Sequence, residues 1–246
     1  MTKSLLPVLL LLIFVQLKTS AQHEPTNHIF NLIYNQHYDS ASVLLAQNNT
    51  IDDYYRAVLE IDLSYWKNVT GTNQPNYSAF EQTLNKYNIE AAETFHQKAI
   101  RLITLSYQLR YELKRFKIFN AISTRKKTLT LFFELKDHAS ALHSDQRELF
   151  DLYSALILYF DNYLKPFFSN DKDENMLAAL TELEKLSSSS ATITSTLSAY
   201  FLGKIYLSYE KQFDKGAFHF KSLSMHYPDN QKFRELYDEC ISKTTN

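Results

Sequence analysis

The residues most able to hold a metal ion lie in the stretch DHASALHSD, which contains His138, His143 and Asp145. Helical zinc sites use two histidines one turn apart, as in H-E-x-x-H, and no two histidines of this chain are four residues apart. His219 and His226 are seven residues apart and would share one helical face. We interpret the first group as a solvated loop and the second as two independent side chains. The sequence therefore predicts no metal site and no cofactor.

Catalytic patterns are equally weak. No nucleophile, base and orienting residue can be singled out, although residues distant in sequence can still form a triad in the fold. The chain contains only three glycines, and neither G-x-G-x-x-G nor G-x-x-x-x-G-K occurs. Glycine also supplies the positive φ angles of tight β-turns, so its scarcity favours an all-helical protein. We expect no enzyme activity, and an all-α hydrolase is the least favoured alternative.

A basic cluster, made of Lys114, Arg115, Lys117 and the run 125–127 (Arg-Lys-Lys), surrounds one expected helical joint. This cluster could contact an acidic protein partner, a phospholipid head group or lipopolysaccharide. A solvated face is the simpler interpretation. Nucleic acid is not expected, because 24 basic residues remain against 27 acidic ones once Lys3 and Lys18 are removed with the leader described next.

The N-terminus has the pattern of a secretory signal peptide. Lys3 precedes an apolar run over 5–17, and small residues at 19–21 predict cleavage after Ala21. The run is about 13 residues long, which is shorter than the roughly 20 needed to span a membrane. The expected organisation is thus a signal peptide over 1–21 and one helical domain over 22–246. No cysteine follows the run, so we expect an exported, periplasmic protein without a lipid anchor.

Apolar residues recur with helical spacing almost throughout the mature chain. The pattern predicts a row of helices and, for the segment 117–136, an inward face. That face would comprise Ile118, Ala121, Ile122, Leu129 and Phe133. The expected helical segments are 26–34, 38–47, 52–69, 77–87, 89–115, 117–136, 147–164, 173–186 and a final pair within 201–230.

The final pair is FLGKIYLSYEKQFDKGAFHFKSLSMHYPDN, residues 201–230. Gly203 and Gly216 stand inside its two helices, where glycine costs about 1 kcal/mol relative to alanine. That cost predicts that the two backbones approach closely at these glycines. Neither helix can bury its apolar face alone, so the pair needs neighbours.

This spacing resembles the tetratricopeptide repeat, whose pattern is aromatic, Leu-Gly, Tyr, then aromatic, Ala, Phe and Pro. Ala199 stands where an aromatic is expected, and the joint before Phe213 is one residue longer than usual. The mature chain is also similar in rhythm to exported tetratricopeptide-type proteins of Bacteroidota. The matching residues of the strong unit are Leu202, Gly203, Tyr206, Phe213, Gly216, Phe220 and Pro228, and those of a second half-unit are Tyr38, Ala41 and Leu45.

The resemblance implies antiparallel helical hairpins stacked as a right-handed α-solenoid, with a concave face that binds other proteins and no catalytic activity. It implies that Tyr200, Lys204 and Ser208 line the groove, with Arg101 and Gln108 doing so in the middle of the chain. A plain solvated face is the alternative for each of them. The favoured function is a non-enzymatic interaction or scaffold module of the periplasm that binds a protein or peptide. The second function is a membrane-surface accessory that uses the basic cluster.

Overall fold

In the computed structural model of the chain, residues 24–71, 74–166 and 169–245 are described, and all their regular structure is helical. The expected signal peptide, 1–21, lies outside these residues. The helices are α1 (24–34), α2 (Tyr38–Gln47), α3 (Asp53–Tyr65), α4 (Tyr77–Tyr87), α5 (Phe95–Lys114), α6 (Ile118–Leu135), α7 (Ser144–Tyr163), α8 (Lys172–Ser187), α9 (Thr192–Ser208), α10 (Phe213–His226) and α11 (Gln231–Thr244). A π-helical turn (Trp66–Thr70) extends α3, and a 3₁₀-helix (Lys136–Ala141) follows α6.

Polar side chains fix where several of these helices begin. Asp52 accepts the backbone N–H of Tyr54 at the start of α3, and Asn76 accepts that of Ala79 at the start of α4. Thr94 forms a capping box with Gln97, so α5 begins several residues later than the apolar spacing predicts. The first four backbone N–H groups of a helix have no acceptor within the helix, and each of these side chains accepts a hydrogen bond from one of them.

Sequential helices pack as neighbouring pairs, because short joints turn the chain back on itself. The odd-numbered helices α3, α5, α7 and α9 also contact one another in order, and they supply most of the buried aromatic residues. We call these helices, together with α1, the inner row. The even-numbered helices α4, α6, α8 and α10 pack beside it.

The close approach predicted at the two glycines of α9 and α10 is present. A Cβ atom on Gly203 would lie 2.7 Å from Cζ of the Phe220 ring, and one on Gly216 would lie 3.0 Å from Sγ of Cys240. The same Cβ atom on Gly216 would lie 3.4 Å from the carbonyl oxygen of Gly203. Leu202, Tyr206 and Phe220 are buried, as are Ala41 and Leu45 of α2, whereas Tyr38 and Phe213 are partly buried.

The inward face predicted for α6 is wrong for three of its members. Ile118, Ile122 and Phe133 are exposed, and of the predicted set only Ala121 is fully buried. The residues that α6 buries are Ala121, Thr124, Thr128, Leu131, Phe132 and Leu135. Threonine can be buried here because the Thr128 hydroxyl donates to the carbonyl oxygen of Thr124 at 2.8 Å, which satisfies it within the helix. The helix is therefore rotated relative to the prediction.

The first helix packs against the last hairpin. The side-chain amide of Asn230 donates to the carbonyl oxygen of Tyr34 at 2.7 Å, and the Tyr34 ring lies 5.5 Å from that of Tyr227 and 6.1 Å from that of Phe233. Trp66 of the π-helical turn contacts Phe233 as well, with ring centroids 5.6 Å apart. Contacts between residues almost 200 positions apart thus join the two ends of the described fold.

Candidate functional site

The face of the inner row that was expected to form a groove is filled by its own aromatic side chains. Tyr200 is only 8% exposed, and its ring lies 5.5 Å from Trp66 and 6.0 Å from Phe233. Tyrosine and tryptophan that are packed at this distance stabilise the core through buried area and ring geometry. Tyr200 is therefore a packing residue in this structure.

A buried carboxylate lies beneath these rings. Asp62 accepts hydrogen bonds from the hydroxyls of Tyr34, at 3.2 Å, and Tyr107, and Tyr107 accepts one from Tyr153 at 3.0 Å. Desolvation raises the pKa of Asp62 to about 6 against these stabilising hydrogen bonds. The guanidinium of Arg110 stacks on the Tyr107 ring at 4.3 Å. Asp62 thus ties α1, α3 and α5 together inside the fold.

The two remaining α9 candidates lie toward the end of that helix. Lys204 is partly buried, and desolvation lowers the pKa of its ammonium group. Ser208 is exposed at the last turn. Neither side chain has a hydrogen bond among the described contacts that would define a ligand site.

Arg101 and Gln108 belong to a polar chain on the other side of α5. Arg101 Nε donates to Asn88 Oδ1 at 3.3 Å, Asn88 Nδ2 donates to Gln108 Oε1 at 3.4 Å, and Gln108 Nε2 donates to Glu112 Oε1 at 2.8 Å. Gln108 and Glu112 line a cavity of about 190 Å³ between α4 and α6. We call this cavity the α4–α6 groove. Its full lining is Glu81, Leu84, Asn85, Gln108, Tyr111, Glu112, Lys117 and Asn120.

The histidines are not brought together. His138 and His143 are exposed, while Asp145 accepts a hydrogen bond from the Tyr55 hydroxyl at 2.6 Å. His219 stacks on the Tyr206 ring at 6.0 Å, and its burial lowers the pKa of the imidazole. Within the described residues no three histidine, cysteine or acidic side chains form a group able to hold a metal ion.

A cavity of about 1090 Å³ opens at the N-terminal ends of α1, α7 and α9. Its walls combine apolar residues such as Ile193 with the acidic residues Glu24, Asp145 and Glu148.

The joint between α5 and α6 displays apolar side chains to solvent. Phe116 is 85% exposed and Phe119 is 88% exposed, and Leu113, Ile118 and Ile122 are exposed around them. We call these five residues the α5–α6 corner. Phe116 has a φ of 55°, in the left-handed region where a residue other than glycine costs about 1–2 kcal/mol. The corner therefore contains a strained aromatic residue that gains no packing in return.

Two other hairpin joints share this positive φ and make a comparison within the chain, although the α9–α10 joint is one residue longer. Gln36, Phe116 and Lys211 each have a φ between 54° and 65°, and each lies two residues before the first residue of α2, α6 or α10. The second residue of these helices is Asp39, Phe119 or Asp214 respectively. At both positions the other two joints carry polar or charged residues, and only the α5–α6 joint carries phenylalanine.

Charges surround the α5–α6 corner unevenly. In the basic cluster, Lys117 pairs with Glu81 at 2.8 Å, Arg125 pairs with Asp161, and Lys127 lies 3.5 Å from Glu90. The other three cations, Lys114, Arg115 and Lys126, have no carboxylate partner among the described contacts. Arg115 instead lies over the Tyr77 ring at 3.8 Å, and Lys114 donates to the carbonyl oxygen of Val69.

The chain matches no protein-family model, no curated protein and no solved structure. None of the described helices is both long enough and apolar enough to cross a membrane. The function therefore has to be argued from the geometry of the α5–α6 corner and of the α4–α6 groove. Charge patterning in the sequence indicates the cations of the first site, and the repeat resemblance indicates Gln108 of the second. Phe116, Phe119 and Glu112 carry no such sequence signal and stand out only in the fold.

Proposed function

We propose that this chain is a non-enzymatic interaction protein of the periplasm, which docks a protein partner on the α5–α6 corner. It would be a tetratricopeptide-like right-handed solenoid whose first helix and last hairpin contact each other. The inner face is a poor docking surface, because Tyr200, Trp66 and Phe233 already fill it. The leader pattern at 1–21 supports the export that the proposal requires.

The solenoid part of the proposal is supported by the repetition of one joint. The hairpins α1–α2, α5–α6 and α9–α10 share the left-handed residue, and in each the next residue donates its backbone N–H to a carbonyl oxygen at the end of the first helix. The donors are His37, Lys117 and Gln212, and the acceptors are Leu32, Glu112 and Tyr206, at 2.8–2.9 Å. Similar joints at intervals along a chain are typical of repeat proteins.

The observation that carries the docking proposal is the pair Phe116 and Phe119. Equivalent positions show that the fold accepts Gln and Asp in one joint and Lys and Asp in another. Phenylalanine therefore is not required for folding there, and exposing it costs solubility. Strained or exposed residues that the fold does not need point to a role in binding.

The composition of the surface defines the partner. Along the exposed face of α6, Phe119 and Ile122 are followed by Lys126, and Glu134 stands near the end of the helix. An anionic membrane surface would attract Lys126 but repel Glu134, whereas a protein can place a carboxylate opposite the lysine and keep acidic residues away from the glutamate. We therefore assign the surface to a protein that presents an apolar cleft with acidic residues at its edge, and aromatic side chains such as Phe119 would be its main anchors.

A photoreactive phenylalanine analogue at position 119 tests this assignment in cells that express the full chain. The matched control is the same analogue at position 218, since Phe218 of α10 is 71% exposed and lies in an equivalent hairpin. We expect crosslinks from position 119 to one protein, at a segment with apolar and acidic side chains, and a lower yield in Lys126→Glu. Identical crosslinks from 119 and 218 would contradict the proposal.

The membrane alternative is tested by flotation of the purified mature chain with phosphatidylethanolamine–phosphatidylglycerol vesicles. We expect the protein to stay in the soluble fraction at about physiological salt, where surface charges are screened beyond about 8 Å. Flotation that Phe116→Gln and Phe119→Asp abolish would replace the protein partner with a lipid surface.

A further inference from the structure

The α4–α6 groove contains a buried carboxylate that no side chain fully satisfies. Glu112 is 5% exposed, and its Oε1 accepts the bond from Gln108. Its Oε2 is buried and has no hydrogen-bond donor in the described structure. A buried carboxylate oxygen without a donor is costly to the fold, because ionised groups lose their hydration on burial.

The fold does not require a carboxylate at this position. In the α5–α6 joint, the backbone carbonyl of Glu112 accepts the N–H of the joint residue. Leu32 and Tyr206 have the same role in the other two joints. Leu32 packs against the core and Tyr206 is buried in it. A leucine or tyrosine at position 112 would bury apolar area without the desolvation cost, so the choice of glutamate calls for a ligand.

The charges around the cavity define the class of that ligand. Glu81 is already engaged, since it accepts hydrogen bonds from Lys117 at 2.8 Å and from the Tyr111 hydroxyl at 2.6 Å. With Lys117 balancing Glu81, the lining carries one net negative charge, which is that of Glu112. A monovalent cation would neutralise it. Ca²⁺ fits less well, because Glu112 alone would balance only one of its two charges while Glu81 is paired with Lys117.

We propose that the α4–α6 groove binds a primary ammonium group, with Glu112 as its counter-ion. An ammonium group has three N–H donors, one for Glu112 Oε2 and two for the side-chain amide oxygens of Asn85 and Asn120, which line the same cavity. Leu84 and Tyr111 offer apolar contact to the attached methylene groups. The volume of about 190 Å³ suits a short alkylammonium chain or a lysine side chain. This site does not depend on docking at the α5–α6 corner.

Titration of the mature chain with n-butylammonium, followed through the NMR signals of the Gln108 and Asn120 side-chain amides, tests the site. We expect saturable shifts with n-butylammonium and none with n-butanol, which has the same chain without the charge. Glu112→Gln keeps the side-chain volume and an oxygen for the Gln108 bond, and it should weaken binding at least about tenfold through loss of the charge-assisted hydrogen bond. Glu235→Gln on α11, where the carboxylate is paired with Lys232 at the surface, should bind like the unaltered chain.

Two peptides distinguish the sources of the ammonium group. If a lysine side chain of a protein is the natural occupant, a blocked Gly-Lys-Gly peptide will shift the same signals and the norleucine analogue will not. If only the free amine does so, the site takes a small molecule. Equal affinity of the unaltered chain and Glu112→Gln for n-butylammonium, or no saturable shift in either, would overturn the proposal.

Discussion

The hydroxyl of Tyr34 donates to the carboxylate of Asp62 across 3.2 Å, and this bond joins the first helix to α3 inside the core. Tyr107 supplies the second donor. The carboxylate is fully buried, so its ionised form depends on these two hydroxyls. Its protonation therefore affects the stability of the fold directly.

We predict that Asp62 makes the fold less stable as pH rises from about 4 to about 6. Burial raises the pKa of this carboxyl to about 6 from an ordinary value of 3.8, so the folded state binds the proton more tightly than the unfolded state. The contribution of protonated Asp62 to the free energy of unfolding is fully present below about pH 4. It is lost as pH rises through about 6, and the loss is roughly 2–3 kcal/mol. Urea unfolding of the unaltered chain and of Asp62→Asn at several pH values measures it. The difference between the two chains isolates Asp62 from other titrating groups, and a difference that does not vary with pH would contradict the prediction.

Gly203→Ala should destabilise the protein. The new Cβ would lie 2.7 Å from the ring of Phe220, which is fully buried and cannot easily move. We expect a loss of roughly 1–2 kcal/mol, because overpacking costs more than the gain in helix propensity. Thermal unfolding measures it, and Phe220→Leu in the same chain should recover part of the loss. Ser208→Ala, at the exposed end of α9, is the control. A stabilising Gly203→Ala would show that the helices have room to separate.

Phe116→Gly should stabilise the fold by about 1 kcal/mol, since glycine adopts a φ of 55° without the steric cost that phenylalanine has there. The 85% exposure of Phe116 means that little packing is lost. Denaturant unfolding measures the change, and Lys211→Gly at the equivalent joint of α9 and α10 provides the comparison. A loss of more than about 1 kcal/mol would show that Phe116 packs against the fold in solution, and the α5–α6 corner would then be smaller than described.

Asn230→Ala should cost more than Asn76→Ala, although both asparagines cap a helix. Asn76 only accepts the N–H of Ala79, whereas Asn230 is buried, accepts the N–H of Phe233 and donates to the carbonyl oxygen of Tyr34. We expect about 1 kcal/mol for Asn76→Ala and about 2–3 kcal/mol for Asn230→Ala. Hydrogen exchange should show the added loss as faster exchange in α1. Equal costs for the two variants would mean that the contact between the ends adds nothing.

The positions of helices followed from the sequence better than their orientations did. The bounds of α2 and α4 agree with the predicted segments, because loops rich in Asn, Thr, Gly and Pro flank them. The inward face of α6 was wrong because apolar spacing counts Thr124 and Thr128 as polar, while their hydroxyls are satisfied inside the fold. Periodicity shows which residues of a helix are apolar. It does not show which side of the helix will be covered by other helices and which side will face solvent.

The two sites show a similar limit. Gln108 was selected for an inner groove, but it lies on the opposite side of α5, because the contacts of α5 with α4 and α6 set that orientation. Apolar periodicity did not distinguish Phe116 and Phe119, whose exposure stands out against the two other joints with a positive φ. A signal was nonetheless present in the sequence, since aligning the helix starts at 38, 118 and 213 places Phe119 opposite two aspartates.

The contact of Tyr34 with Tyr227 and Phe233 has a consequence for how the molecule comes apart. In an open row of hairpins, each unit touches only its neighbours, and the outermost units can fray while the middle persists. Here the outermost units shelter one another, so neither is a free end from which unravelling can begin. Loss of either one would uncover aromatic surface on the other, and the described helices should melt as a single cooperative unit.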